Sequence, residues 1–327
     1  MTAYTKRLQK VTAVLCTTAL LAGCAAGTSD NTEPAATTAP VKAITIEPTA
    51  AYQTMNGFGA SACWWSQEVG NWENAKDILS LLYDENSGIG LNIYRYNLGA
   101  GSKDDATITD PDRRAEAFID KDGSYHWERD AAAQNALALA KSMNKDLRVT
   151  LFSNSAPVFY TANGKAYCDY LPDEEKYVTN LEPERYADFA KYSIACAKHF
   201  TEAGYRVTGL SPINEPEWSW RGYEDGTAKQ EGCYYSKTQC RDLYKVFLKQ
   251  MAQEDALKDC QLEGWESGHI GTDTCMAYLQ TMFGKSGVNW LKNNALRKGM
   301  PTLGGARVTF NIKDIVEGKV LYAFPRF

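Results

Sequence analysis

The chain has 327 residues, of which 44% are hydrophobic and 12% aromatic, enough for one large globular domain or two small ones. With 40 acidic against 35 basic side chains the net charge is −5, and loss of a leader carrying Lys6, Arg7 and Lys10 takes it to −8. That balance argues against a nucleic-acid partner, which would want a basic face.

Residues 1–23 read as a signal peptide. The three basic residues form its positive start, and Val11 to Leu21 is an apolar run too short to span a bilayer as a stable helix. Leu21-Ala22-Gly23-Cys24 resembles the lipobox of bacterial lipoproteins. It predicts lipidation of Cys24 and a mature chain anchored outside the cytoplasm on the bacterial cell surface. An ordinary secretion signal cut nearby is the alternative. Residues 24–43 contain almost no large apolar side chain and read as a disordered tether. No second hydrophobic segment is long enough to cross a membrane.

From residue 44 a strand–helix cadence sets in. Asn74 to Glu85 has helical periodicity, and "GLNIYRYNLG" (Gly90 to Gly99) reads as a strand. Ala131 to Asn144 is an Ala- and Leu-rich helix, followed by the strand "LRVTLFSNS" (Leu147 to Ser155). Pro183 to Phe200 carries Tyr186, Phe189, Ala190, Ile194 and Ala197 on one helical face, with Pro183 at its start and Gly204 beyond its end. Strand Arg206 to Ile213, helix Lys237 to Ala256 and strand Cys260 to Trp265 complete the series.

Alternation of buried strands with helices predicts an α/β fold with a parallel sheet. A (β/α)8 TIM barrel and an open doubly wound sheet both satisfy it. Chemistry-bearing side chains at four successive strand ends favour the barrel, whose active site lies on that rim. They are Arg95 and Asn97, Asn154 and Ser155, Asn214 and Glu215, then Glu266. "GIGLNI" lacks the third glycine of a dinucleotide fingerprint and precedes a strand, which excludes that reading.

A glutamate ending a buried strand can serve as a general acid, and Asn214 beside it can hydrogen-bond a substrate hydroxyl. Trp218 and Trp220 follow at once, and Trp64 and Trp65 lie after the first presumed strand. Indole faces beside Asn, Arg and Glu match a sugar, with its apolar C–H faces and hydroxyl rim. The nine cysteines show no CxxC spacing, so a zinc site is not expected, and disulfide pairing is not readable from sequence.

The landmarks "NGFGASACWW" (Asn56 to Trp65), "GLNIYRYNLGAG" (Gly90 to Gly101), "LFSNSAPVFYT" (Leu151 to Thr161) and "SPINEPEW" (Ser211 to Trp218) resemble, in this order, those of glycoside hydrolase family 30. The likeness is greatest to its endo-β-1,6-galactanase-like branch and covers about Tyr52 to Gly268. It implies a (β/α)8 barrel with an attached β-sandwich, and retaining hydrolysis of β-linked glycans. It places Glu215 as acid/base, Asn214 as the neighbour holding a 2-hydroxyl, and Arg95 as the arginine that keeps a nucleophile ionised. Asn154, Trp64 and Trp218 fall at substrate-cleft positions, with Trp65, Trp220 and Glu266 as further binding candidates.

The chain departs from the family after Glu266. Only Asp273, Asp314 and Glu317 remain as acids, and none matches the seventh-strand nucleophile. No residues are left for a β-sandwich. Residues 285–327 hold eight basic and two acidic residues, an abrupt reversal of charge. The reading is a barrel domain over 44–284, incomplete at five or six strands, and an atypical basic tail that points to a truncated or frameshifted product, with a divergent family member as the alternative. The expected function is a glycosidase acting on a poly- or oligosaccharide, β-1,6-galactan first. The alternative is a catalytically defective glycan-binding lipoprotein. No cofactor or metal is called for, since two carboxyls suffice for the reaction.

Overall fold

The computed structural model describes residues 57–268 and 272–283. The leader, Cys24, the tether and the basic tail lie outside the described residues. Five strands form one parallel sheet: β1 (Gly59–Ser61), β2 (Ile93–Asn97), β3 (Arg148–Phe152), β4 (Arg206–Ser211) and β5 (Gln261–Leu262). Between them run α1 (Ser66–Val69), α2 (Ala75–Tyr83), α3 (Ala131–Met143), α4 (Tyr186–Glu202) and α5 (Lys237–Met251), and α6 (Asp273–Phe283) follows β5.

The strands lie in sequence order, each hydrogen-bonded to the one before it. Every crossover therefore steps the same way. Right-handed crossovers then put all the helices on one side and leave the other side to curl inward. A doubly wound sheet needs a reversal of strand order, and there is none among the described strands. The chain thus forms the first five βα units of a TIM barrel, as the strand-end chemistry predicted.

Side-chain alternation follows. Tyr94 and Tyr96 of β2 point under the helices, against Tyr83 of α2 and Phe200 of α4, with ring centroids 5.5 and 5.0 Å apart. Val149, Leu151, Leu210 and Leu262 extend this buried layer. Burying each such side chain contributes about 1.5–3 kcal/mol. The inner face carries Arg95, Thr150, Phe152, Ser211 and the buried Glu263, which accepts a hydrogen bond from Thr150 Oγ1 at 3.1 Å. Gly209 opens the space Glu263 fills, since a Cβ there would overlap its Oε1. The register shift between β3 and β4 leaves Thr208 as a bulge, which keeps Gly209 turned inward.

The helix ends obey local chemistry. Ser236 and Gln239 form a capping box on α5, with Ser236 N–H donating to Gln239 Oε1 at 2.9 Å. Pro183 opens a 3-10 turn leading into α4, and Gly204 leaves that helix at φ +86°. Connections at the N-terminal ends of the strands are short. Those at the C-terminal ends, 98–130, 153–185 and 212–236, are long. Long loops on one rim are where a barrel builds its site.

Two of these loops carry buried carboxyls. Asp130 takes the Tyr96 hydroxyl at 2.6 Å, and Glu231 takes the Ser102 hydroxyl at 2.6 Å. Burial pushes each up to about 7. A carboxyl raised on folding favours the native state most below its unfolded value. That contribution is lost as the pH climbs through the folded value. Asp130→Asn should therefore change least in stability near pH 4 and gain on the wild type by a few kcal/mol by pH 8. Urea melts of both proteins across that range check this, and parallel curves would refute it.

Candidate active site

Arg95 organises the rim from the inner face of β2. Its guanidinium makes a two-point contact with Glu266, Nε to Oε1 at 3.0 Å and Nη2 to Oε2 at 2.7 Å. Nη1 donates to Ser61 Oγ at 3.0 Å, and Nη2 also donates to Asn214 Oδ1 at 2.9 Å. The guanidinium carbon lies 3.2 Å from the centroid of Phe152. Ser211 Oγ donates to Glu266 Oε1 at 2.8 Å. One cation thus ties the ends of β1, β2, β4 and β5 together. Bidentate, largely buried pairs of this kind fix geometry as well as charge.

Asn214 and Glu215 extend β4 beyond its last regular residue. Asn214 forms a parallel bridge with Glu266, and Glu215 N–H donates to Glu266 O at 2.6 Å. Glu215 then turns to φ +43°, a left-handed conformation that a non-glycine residue adopts at a cost of about 1–2 kcal/mol. Its carbonyl accepts from Trp218 N at 3.2 Å and from Trp220 Nε1 at 2.7 Å. The backbone is therefore held from three sides. Glu215 Oε1 comes within 3.3 Å of where a Cβ would stand on Gly268, and Trp218 Nε1 would overlap that Cβ. The carboxylate and the half-exposed Trp218 indole are thus neighbours, with bare backbone filling the gap between loops.

Gly268→Ala should displace Trp218, lower stability by about 1–3 kcal/mol and alter tryptophan emission. An unchanged spectrum with an unchanged melt would contradict this packing.

Asn154 donates to Asn97 Oδ1 at 3.1 Å and to Cys63 Sγ at 3.6 Å, all at the ends of neighbouring strands. Asn97 Nδ2 is buried without a partner among the described residues. Trp64 follows Cys63 through a cis peptide and is half-buried. The Trp65 indole N–H donates to Ser61 O at 2.8 Å and its ring meets Tyr94, on the helix side of the sheet. Trp65 is thus partly buried against the core on that side.

Residues 41–270 match the sequence model of O-glycosyl hydrolase family 30. The chain belongs to this family. An endo-β-1,6-galactanase of Hypocrea rufa is 30% identical over 218 residues, covering 59% of this chain and 43% of the relative. An exo-β-1,6-galactobiohydrolase of Bifidobacterium longum is 28% identical over 241 residues, covering 55% of this chain and 16% of the relative. The crystal structure of a conserved exported protein from Bacteroides fragilis superposes with a TM-score of 0.64 at 26% identity, over 74% of this chain and 51% of that one. The chain thus spans less than half the length of the curated relatives it matches.

Within this family-30 chain, two expected binding residues have structural duties. Glu266 is turned to Arg95 and Ser211 rather than to an open cleft. Trp220 donates its N–H to Glu215 O and lies against Gly232, whose Cβ would overlap the indole. Sequence reasoning missed Ser61 and Ser211, ordinary hydroxyls that become ligands of the Arg95–Glu266 pair. It also missed Glu217, whose Oε1 accepts from Gly268 N at 2.7 Å and from the Ser267 hydroxyl, tying the loops after β4 and β5 together. The signal was in view inside Asn-Glu-Pro-Glu-Trp, but a second glutamate two residues on reads as solvated. Among the described residues no group of His, Cys, Asp and Glu is arranged to hold a metal, and no helix is long and apolar enough to cross a membrane.

Proposed function

We propose that this chain acts on a β-linked galactan, with the β-1,6 linkage favoured, through retaining hydrolysis in which Glu215 is the acid/base. The reading rests on one observation above the others. Glu215 is fixed in a strained turn just beyond the end of β4, with its carboxylate near the half-exposed indole of Trp218. The galactan activities named for the Hypocrea and Bifidobacterium relatives support the substrate.

In this scheme Trp218 stacks on an apolar sugar face. Glu215 gives its proton to the departing glycosidic oxygen as a second carboxylate, not identified among the described residues, bonds the anomeric carbon; Glu215 later takes a proton from the water that displaces that carboxylate. Asn214 has its carbonyl oxygen committed to Arg95, which turns its amide N–H2 group away and leaves it to donate to a sugar 2-hydroxyl. Trp64 and Asn154 line the neighbouring subsite. Arg95 holds Asn214 in register and acts through it as a positioning residue. Anchorage outside the cytoplasm through lipid on Cys24 belongs to the same proposal, because a polymeric glycan is met there. The chemistry needs no cofactor.

Incubation with β-1,6-galactooligosaccharides should release new reducing ends, and xylan should release few. A second reading is glycan binding without turnover, in which Arg95 and Glu266 serve only to hold the rim together. Calorimetric binding of the same oligosaccharide with no reducing ends formed would favour it. Neither binding nor cleavage would sink both.

A further inference from the structure

Cys168 and Cys233 come from different loops, the first after β3 and the second after β4. Both are buried, 2% and 0% exposed, and both are thiols in this structure. The backbone brings them together. Gly232 N–H donates to Ala166 O at 2.8 Å, and Tyr234 N–H lies 3.4 Å from Cys168 Sγ, so Cys233 is bracketed by residues bonded to 166 and 168. The neighbouring Cys233 thiol, with burial, pushes the Cys168 thiol far up. Burial opposes ionisation of Cys233 as well, but polar neighbours led by Cys168 bring it below the usual thiol value.

We infer that Cys168 and Cys233 close a disulfide that staples the wall carrying the candidate acid/base. Cys168 N–H donates to Trp220 O at 2.9 Å, and Gly222 N–H donates to Cys168 O at 2.8 Å. Cys168 is therefore already stitched to the segment whose indole braces Glu215. A covalent bond to Cys233 locks both ends of that segment at once. The 64 residues between the two cysteines hold α4, β4, Glu215 and Trp218. Closing a loop of this size constrains the unfolded chain strongly.

The oxidant is a disulfide donor such as oxidised glutathione. One of the two cysteines, as thiolate, attacks one of its sulfurs, and one glutathione leaves as thiolate. The other then loses its proton, attacks the cysteine sulfur of the mixed disulfide and expels the second glutathione. Two thiols are oxidised by two electrons, one glutathione disulfide is reduced to two glutathiones, and the two protons pass to the leaving thiolates. Burial requires this to happen before the loops close over the pair, while the chain is folding.

The full chain is folded in a mixed glutathione buffer, alkylated in denaturant without reductant, digested and mapped by mass. A peptide joining Cys168 to Cys233, two hydrogens lighter than its parts, is expected. Quantitative alkylation of both, or either one joined to a different cysteine, overturns the inference. Thermal melts give a second readout. Reductant should lower the wild-type Tm by roughly 10 °C and leave Cys168→Ala unmoved. Should Cys168→Ala not fold, the wild-type peptide map decides the matter alone. None of these readouts uses glycan cleavage.

Discussion

Glu215→Gln should lower the rate of release of reducing ends from β-1,6-galactooligosaccharides by about 10²- to 10⁴-fold while leaving the fold intact. The amide is isosteric with the carboxyl, so contacts at Gly268 and Trp218 survive. The three hydrogen bonds that pin residue 215 use its backbone and are untouched by the change. Stability should therefore stay within about 0.5 kcal/mol. What disappears is the proton that the leaving oxygen needs.

A galactoside with an acidic phenol as leaving group separates proton donation from other effects. Such a phenolate departs without protonation, so its first-step rate should fall far less in Glu215→Gln than that of the natural linkage. The limb of the pH–rate profile that reports loss of the donor proton should vanish for the variant. Equal losses on both substrates would assign Glu215 to binding rather than proton transfer. Full activity in the variant would remove it from the chemistry.

The barrel order was legible because each apolar run is bounded by its own punctuation. The strand expected at Gly90 to Gly99 occupies Ile93–Asn97, and the helix expected at Ala131 to Asn144 runs Ala131–Met143. Strand readings erred on the long side. Residues such as Ser153 to Ser155 and Pro212 to Ile213 continue the buried pattern but already belong to the rim loops. Helix α6 carried no equally regular apolar pattern and was not foreseen. Arg95, Asn154, Asn214 and Glu215 stood out in the sequence by their local context at strand ends. Their partners did not, because a contact such as Arg95 to Glu266 joins residues 171 apart and leaves no local trace. Adjacent tryptophans expose the same limit. Trp64 and Trp65 are alike in the sequence, and nothing there marks Trp65 as the one whose ring meets Tyr94 on the helix side of β2. Nor does anything mark Glu231 as buried, since Gln-Glu-Gly reads as a solvated turn.

Arg95→Met should cost about 3–5 kcal/mol, because it strips the counter-charge from a carboxylate that is only 13% exposed. The methionine keeps contact with Phe152 but offers no donor to Glu266, Ser61 or Asn214. Four strand ends lose their common tie, so the urea midpoint should fall with little change in slope. Glu266→Gln in the same background removes the orphaned charge and should recover much of the loss. A double-mutant cycle should give a coupling of about 1–3 kcal/mol. Activity offers an independent view. If Arg95 acts by orienting Asn214, then Arg95→Met/Glu266→Gln regains stability but not turnover, since Asn214 Oδ1 still lacks its anchor. Recovery of both together would reduce Arg95 to a structural ion pair. A single-mutant cost below about 1 kcal/mol would show that solvent replaces the pair, and that the rim is held by the Asn214–Glu266 backbone bridge instead.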